Sequence, residues 1–566
     1  MKKQLCIFLS VVIALGWLTG CGRREAEVAN KEKTQLTIGV FDGGLGSEWV
    51  YTLKKRFEKK YEETSFEEGK KGVEIRVTES AAFTQTGMEN NIDSFNENII
   101  FAEGASATYF AKKGNFLDVT DVATKPLSYD FVTGETDSQA AEASTVESKL
   151  SEAQKEYYSA IEGKYYALPT TEKFFGIAYD IELFEENNLF FAPDGSFVKD
   201  KDAARSGGPD GREETVYDNG LPATYDQFFE LCDRILSLDP NLIPVMWGGN
   251  VQEYVNSLLI ALAADYEGVE QMELNYNYDG VMSHHVSSVD ESGAPVISSD
   301  PIAITAENGY ELYKLPGRYY ALKFIERLVS NPGYYNNKTA TSTSFTHKDA
   351  QGQFVMGKYS EKIQRAAMLI DGNWWQSEAK GVFNDLAAQH GEEASVKNRR
   401  FGLMPLPKVK EAGEYTILQL TGDIAFINAK TPAEKVNLAK AFLQFCYTEE
   451  SLVEYTTVTN VCRAVDYEMG DKKEELSAWG KTMVDMHENA RKAIQDSASP
   501  MMQNYSTDLW YSPRLWLSTV NGETFTYPAT AMINENIKAE DYFEGLSAYW
   551  TESVWKNHFI SVQKGR

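Results

Sequence analysis

The strongest constraint on the fold is a strand, a helix and a second strand that follow one another early in the chain. Leu36-Thr-Ile-Gly-Val-Phe41 alternates in the way a half-buried strand does. After the loop Asp42-Gly-Gly-Leu-Gly46, Ser47 offers a helix N-cap, and Trp49, Leu53, Phe57 and Tyr61 recur along one helical face. Val73-Glu-Ile-Arg-Val-Thr78 then supplies the second strand. Two strands joined through a helix lie parallel, and the helix must pack back on the sheet, so the spacing predicts an α/β fold. The loop glycines do not complete G-x-G-x-x-G, which leaves a dinucleotide site without support.

The alternation of strands and helices continues. Asn98 to Phe101 and Ala366 to Ile370 read as strands, Asp226 to Leu236 and Val436 to Tyr447 as helices. Pro193 to Pro222, dense in Asp, Gly and charge, and Tyr276 to Pro301, rich in Ser, Asp and Val, read as long surface loops inserted into the fold. There are no internal repeats and no coiled-coil heptads. One hydrophobic core stops growing at about 250–300 residues, so the roughly 530 residues beyond the N-terminal segment call for at least two lobes.

That N-terminal segment has its own logic. Lys2 and Lys3 precede an apolar stretch from Leu5 to Leu18, too short to cross a bilayer as a permanent helix and fitting for a signal-peptide core. Leu18-Thr19-Gly20-Cys21 resembles a bacterial lipobox, which implies removal of residues 1–20 and lipidation, palmitate included, at Cys21. Residues 21–33 are polar and charged without apolar periodicity, as in a flexible tether. The expected location is therefore the cell membrane, lipid-anchored on its extracellular face, or on the periplasmic face in a Gram-negative source.

Without Lys2 and Lys3 the chain carries 53 basic against 83 acidic residues, a net charge of −30. Such a surface repels nucleic acid. Cysteine is scarce: besides Cys6 and Cys21 there are Cys232, Cys446 and Cys462, either with Cys446 and Cys462 paired or as three buried thiols.

Five landmarks in order then carry a resemblance. They are Gly114 to Thr120 (Gly-Asn-Phe-Leu-Asp-Val-Thr); Gly163 to Pro169 with Gly176 to Asp180; Leu221 to Phe228; Ala350 to Lys358 with Ala367 to Trp374; and Gly422 to Ile427 before the helix at Ala439 to Phe445. The chain resembles the extracellular solute-binding proteins of sugar ABC transporters, the maltose-binding-protein-like family. Asp180, Tyr225 and Asp423 depart from the family's usual Asn, Trp and Gly. The resemblance implies a two-lobed fold of the type II periplasmic-binding-protein class, each lobe a mostly parallel sheet flanked by helices and discontinuous in sequence. The expected lobes are 34–172 with 404–450 and 173–403 with 451–566, and the chain would cross near 169–175, 403–408 and 446–457. It also implies a monomer that takes a sugar or oligosaccharide into the cleft and delivers it to ABC transporter permease subunits, without a cofactor or metal.

A sugar offers hydroxyls at its rim and C–H on its faces, so its site needs carboxylates, amides or cations together with aromatic rings. In open α/β sheets such groups sit on loops at the strand ends. The ligand-binding candidates are Asp42 after the first strand, Glu103 after the third, Glu172 and Lys173 at the first crossing, Trp247 beside Gly248, Trp374 after Gly372, Asp423, and Trp510. Asp42 could equally cap its glycine-rich turn, one of Trp374 and Trp375 belongs to the core, and Trp510 and Trp247 have helix packing and core as their plain alternatives.

Other functions have less behind them. A glycoside hydrolase needs two carboxylates about 5–10 Å apart across the sugar bond, which composition alone does not exclude. No eightfold β-α pattern and no G-x-S-x-G is present. His284-His285 lies in a polar loop without H-E-x-x-H spacing, so a zinc site is not expected there. Nearer alternatives keep the fold and change the role: a binding protein for a peptide, polyamine or other non-sugar solute, or one that presents its ligand to a membrane sensor.

Overall fold

The computed structural model describes residues 29–136, 142–215, 217–495 and 516–563. Cys21 and Trp510 fall outside them. Two main sheets are built from nine strands, in chain order β1 (Thr34–Phe41), β2 (Val73–Ser80), β3 (Ile99–Ala102), β4 (Leu168–Pro169), β5 (Phe175–Asp180), β6 (Ile243–Met246), β7 (Ala366–Gly372), β8 (Phe401–Met404) and β9 (Ile424–Ile427). The first sheet has the order β2-β1-β3-β9-β4 and the second β8-β5-β7-β6. β1 pairs in parallel with β2 and β3, whereas β9 runs against both β3 and β4. β7 is parallel to β6, and β5 runs against β7 and β8. Each sheet is thus mostly parallel with one reversed strand, as the two-lobed fold requires. Both reversed strands, β5 and β9, begin just after the chain has crossed from one sheet to the other.

Each sheet has its own core. The first gathers Ile38, Phe57, Ile99, Phe116, Leu168, Phe426 and Phe442, and the rings of Phe116 and Phe426 stack with centroids 3.8 Å apart. The second gathers Ile177, Phe228, Leu258, Leu322, Leu369, Trp375, Phe401 and Trp479. These buried rings and branched aliphatics supply most of the driving force that holds each lobe.

Several expectations need correction. Leu406, Tyr415 and Ile417 pack in the second core, so the return to the first sheet comes later than 403–408. Leu452, Tyr455 and Val465 pack in the first core, so the last crossing also falls downstream of 446–457. Both errors place a boundary where a sequence motif ends rather than where packing changes. The stretch 276–301 is not loop: it holds short strands at Gly280–Met282, His285–Val289 and Pro295–Ser298, paired in two antiparallel ribbons with Ile302–Ile304 as the remaining member. Their valines and serines alternate too briefly to read as strands. Helix α1 (Glu48–Lys60) starts where expected, yet Ser47 makes no side-chain cap and donates instead to Glu79 Oε1 at 2.5 Å. Cys232, Cys446 and Cys462 are buried free thiols. Among the described residues no helix is long and apolar enough to cross a membrane.

Candidate functional site

The segment between β4 and β5 is extended and crosses from the first sheet to the second. Alternation along extended backbone sends Thr171 and Lys173 to one side and Glu172 to the other. Leu420 N–H donates to Lys173 O at 2.8 Å and Thr170 N–H donates to Asp423 O at 2.9 Å, so the segment carrying Asp423 lies against this crossing. Gly422 makes that approach feasible: a Cβ there would come within 2.7 Å of Gly104 Cα, next to Glu103.

These constraints bring four candidates together. Lys173 Nζ pairs with Glu103 Oε1 and lies 2.8 Å from Asp423 Oδ2. The same ammonium stands 5.2 Å from the centre of the Trp374 ring, a cation–π distance. Trp374 meets Phe175 edge to face at 5.1 Å and Tyr254 at 6.5 Å. Leu420 completes this small apolar cluster, and Leu45, from the glycine-rich loop after β1, packs onto it from the first lobe. Asn373 fixes the ring's place by donating to Glu172 O at 2.8 Å, while Phe174 N–H donates to Asn373 Oδ1 at 3.4 Å. Gly372 is needed as well, because a Cβ there would collide with the Trp374 ring. A small cavity opens beside the cluster, lined by Phe175, Leu420, Ser257, Ala261 and Gln495 among others.

The electrostatics follow from burial. Lys173 would lose its proton readily in an apolar site, but Asp423 and Glu103 outweigh desolvation and raise it above the usual lysine range. Burial pushes Glu103 up to about 7, opposed by Lys173 and reinforced by Asp423 and Glu378. Burial raises Asp423 too, again opposed by Lys173. Across from Glu103, Gln351 Nε2 bridges Asp371 at 3.0 Å and Glu378 at 2.9 Å, and burial lifts Asp371 well above the carboxylate range. Carboxylates outnumber cations here. The set offers hydroxyl acceptors, one ammonium donor and an aromatic wall.

Other candidates lie elsewhere. Asp42 is exposed at the start of its loop. Glu172 turns away, with His487 Nδ1 at 3.0 Å and Lys492 Nζ at 3.1 Å. Trp247 is core: it is 1% exposed, donates from Nε1 to Ala340 O at 3.0 Å and stacks on Tyr335 at 5.2 Å. Both rings of the Trp374–Trp375 pair are buried, at 4% and 1%: Trp375 belongs to the second core, wedged among Phe354, Phe401 and Trp479, and Trp374 to the small cluster with Phe175, Tyr254 and Leu420. The reading from sequence missed Phe175, Tyr254, Leu45 and Leu420. Phe175 could have been found as the residue two beyond Lys173 on the same side of the crossing; Tyr254 gave no signal beyond helical spacing.

Comparison with known proteins agrees with this architecture. Residues 59–484 match the family described as bacterial extracellular solute-binding protein. No curated protein matches the sequence. Among solved structures, a chitin oligosaccharide binding protein superposes with a TM-score of 0.54 at 15% identity, covering 94% of this chain and 100% of its own. RafE in complex with raffinose gives 0.52 at 15%, covering 93% and 100%. The cyclic alpha-maltosyl-1,6-maltose binding protein of Arthrobacter globiformis gives 0.51 at 12%, with the same coverage. At such identities the likeness establishes the fold, and the family match over most of the chain establishes membership: this protein belongs to the bacterial extracellular solute-binding proteins.

Proposed function

We propose that the chain captures a carbohydrate, an oligosaccharide in particular, between its lobes and delivers it to an ABC transporter permease as a monomer, held at the membrane by a lipid on Cys21. The observation that carries this reading is the meeting of Trp374, Phe175 and Tyr254 with Lys173, Glu103 and Asp423 between the two cores. Rings suit the C–H faces of a sugar and the charged groups its hydroxyls. The solved neighbours named for raffinose, chitin oligosaccharide and cyclic maltosyl-maltose binding support the same ligand class. The lobes hinge on connections around 170–174, 418–423 and 466–478, and a ligand touching both favours the closed arrangement by its differential affinity. Glu103 and Asp423 share one ammonium, an arrangement that suits binding and release of a solute.

The test is a thermal-shift panel of mono- and oligosaccharides with the purified protein, since a ligand held only by the folded state raises Tm by mass action. A concentration-dependent rise with one glycan class is expected; a flat response to all of them rejects the sugar reading. The excess of carboxylates around Lys173 favours a second reading, a cationic solute, so spermidine and amino sugars belong in the same panel.

A further inference from the structure

On the far side of the crossing from Lys173 lies a second buried cluster that solute binding does not use. Glu172 Oε2 accepts from His487 Nδ1 at 3.0 Å, and Cys462 Sγ completes a set whose three ligand-capable atoms all lie within 4.8 Å of one another. The side chains of Glu172 and His487 are 2% and 5% exposed, and Cys462 is fully buried. The three come from different parts of the hinge. Glu172 sits on the first crossing, Cys462 just after helix Glu449–Thr459, and His487 on helix Ala478–Asn489. Glu172 N–H donates to Cys462 O at 3.0 Å, so the first two ligands are tied together by backbone.

We propose that Glu172, Cys462 and His487 form a zinc-class metal site at the hinge. The donor set is a thiolate, an imidazole and a carboxylate, the mixture that four-coordinate Zn²⁺ accepts at about 2.0–2.3 Å. A tetrahedral ion holds its ligand atoms roughly 3.3–3.8 Å apart, so side-chain shifts of about an ångström convert the observed cluster. Lys492 Nζ, 3.1 Å from Glu172 Oε1 and 3.3 Å from His487 Nδ1, occupies the remaining direction. Its side chain is 22% exposed and can swing to solvent, leaving that direction to water. The ammonium and the metal therefore compete for one carboxylate. Binding displaces the Lys492 ammonium from Glu172, takes the Nδ1 lone pair of His487 in place of its hydrogen bond to that carboxylate, and releases the Cys462 thiol proton to solvent. Tyr467, whose ring lies 5.2 Å from that of His487, walls the site. A metal here would join the first crossing to the last, independently of what binds in the cleft.

Co²⁺ titration of the metal-stripped mature protein at neutral pH tests this, because a cysteine ligand produces a near-ultraviolet thiolate-to-cobalt band. One equivalent with that band is expected from wild type, none from Cys462→Ser, and an undiminished band from Cys446→Ser. Lys492→Met, which removes the competing ammonium from a partly exposed position, is expected to bind at least about tenfold more tightly. Because this variant gains binding, its result does not depend on a ligand deletion folding well. No band from either wild type or Lys492→Met, or a band that survives Cys462→Ser, overturns the proposal.

Discussion

Glu172 and Lys173 are neighbours in the chain that serve charge clusters of opposite design. Around Lys173 one ammonium answers two carboxylates, Glu103 and Asp423, with two more nearby. Around Glu172 one carboxylate answers a histidine and a lysine. The first cluster lies against the rings of Trp374 and Phe175 between the lobes, the second against the hinge helices. A single extended segment produces both, since alternate residues face opposite sides. Neighbouring charges thus act separately, and their perturbation should separate as well.

The hardest test of that separation is Lys173→Met. Removing the one cation leaves Glu103 and Asp423 buried without a counter-charge, which costs about 3–5 kcal/mol where one partner of a buried pair is deleted. Urea unfolding at neutral pH should show that loss, and ligand binding should fail with it. A loss below about 1 kcal/mol would mean the cluster is hydrated in solution and the contrast with Glu172 is false.

Two tryptophans sharpen the contrast between site and core. Trp247→Ala opens a cavity under a stacked pair and should cost about 3–5 kcal/mol of folding stability. Trp374→Ala should weaken ligand binding by about 1–3 kcal/mol, by analogy with other aromatic stacking platforms, on top of the stability cost of truncating a buried ring. Isothermal titration with the ligand found in the panel, beside denaturation of both variants, measures the two effects. Unchanged affinity in Trp374→Ala would put the stacking ring elsewhere.

The two clusters should also answer pH with opposite signs. Glu103 is raised to about 7 by burial, against Lys173, so in the folded state it holds a proton that the unfolded chain releases near 4.5. Its contribution is complete below 4.5 and is lost as pH rises through about 7. Burial also acts to raise Glu172, but His487 and Lys492 prevail and lower it to about 2. Its contribution is complete above 4.5 and is lost as pH falls towards 2. Glu103→Gln should flatten the decline on the neutral side and Glu172→Gln the decline on the acid side, each read from unfolding midpoints across pH. A variant that alters the other's limb would show the clusters to be coupled through the crossing.

How much of this was legible follows the range of the interactions involved. The β1-α1-β2 unit and the strands at Ile99 and Ala366 came from period and propensity, which are local. Glu103, Lys173, Trp374 and Asp423 came from motifs at strand ends, positions that an α/β sheet turns toward a crevice. Glu172 carried the same motif signal, and only the direction of its side chain, fixed by pairing on either flank, sends it to the hinge. Trp247 failed because glycines beside an aromatic mark a tight approach of backbone as readily as a site; Gly249 lies where a Cβ would strike Thr339 O. The later crossings failed because Leu406 and Leu452 choose a core by long-range packing, which leaves no local pattern.

The smallest effect expected concerns the rim between the lobes. Glu48, at the start of α1 in the first lobe, pairs with Lys380, at the start of helix Lys380–His390 in the second. Both side chains are more than half exposed, at 59% and 51%, so solvent and salt screen the pair. Exposed pairs contribute about 0.2–1 kcal/mol, too little to hold the lobes together but enough to shift a hinge equilibrium by up to about fivefold. Glu48 also sits at a helix N-terminus, where a carboxylate is favoured without Lys380, so Lys380→Ala isolates the pair better than Glu48→Ala. Small-angle scattering of unliganded Lys380→Ala should show a slightly larger radius of gyration than wild type at low salt and none of that difference at high salt. The same expansion at both salt concentrations would assign the effect to packing of the lysine stem instead of charge.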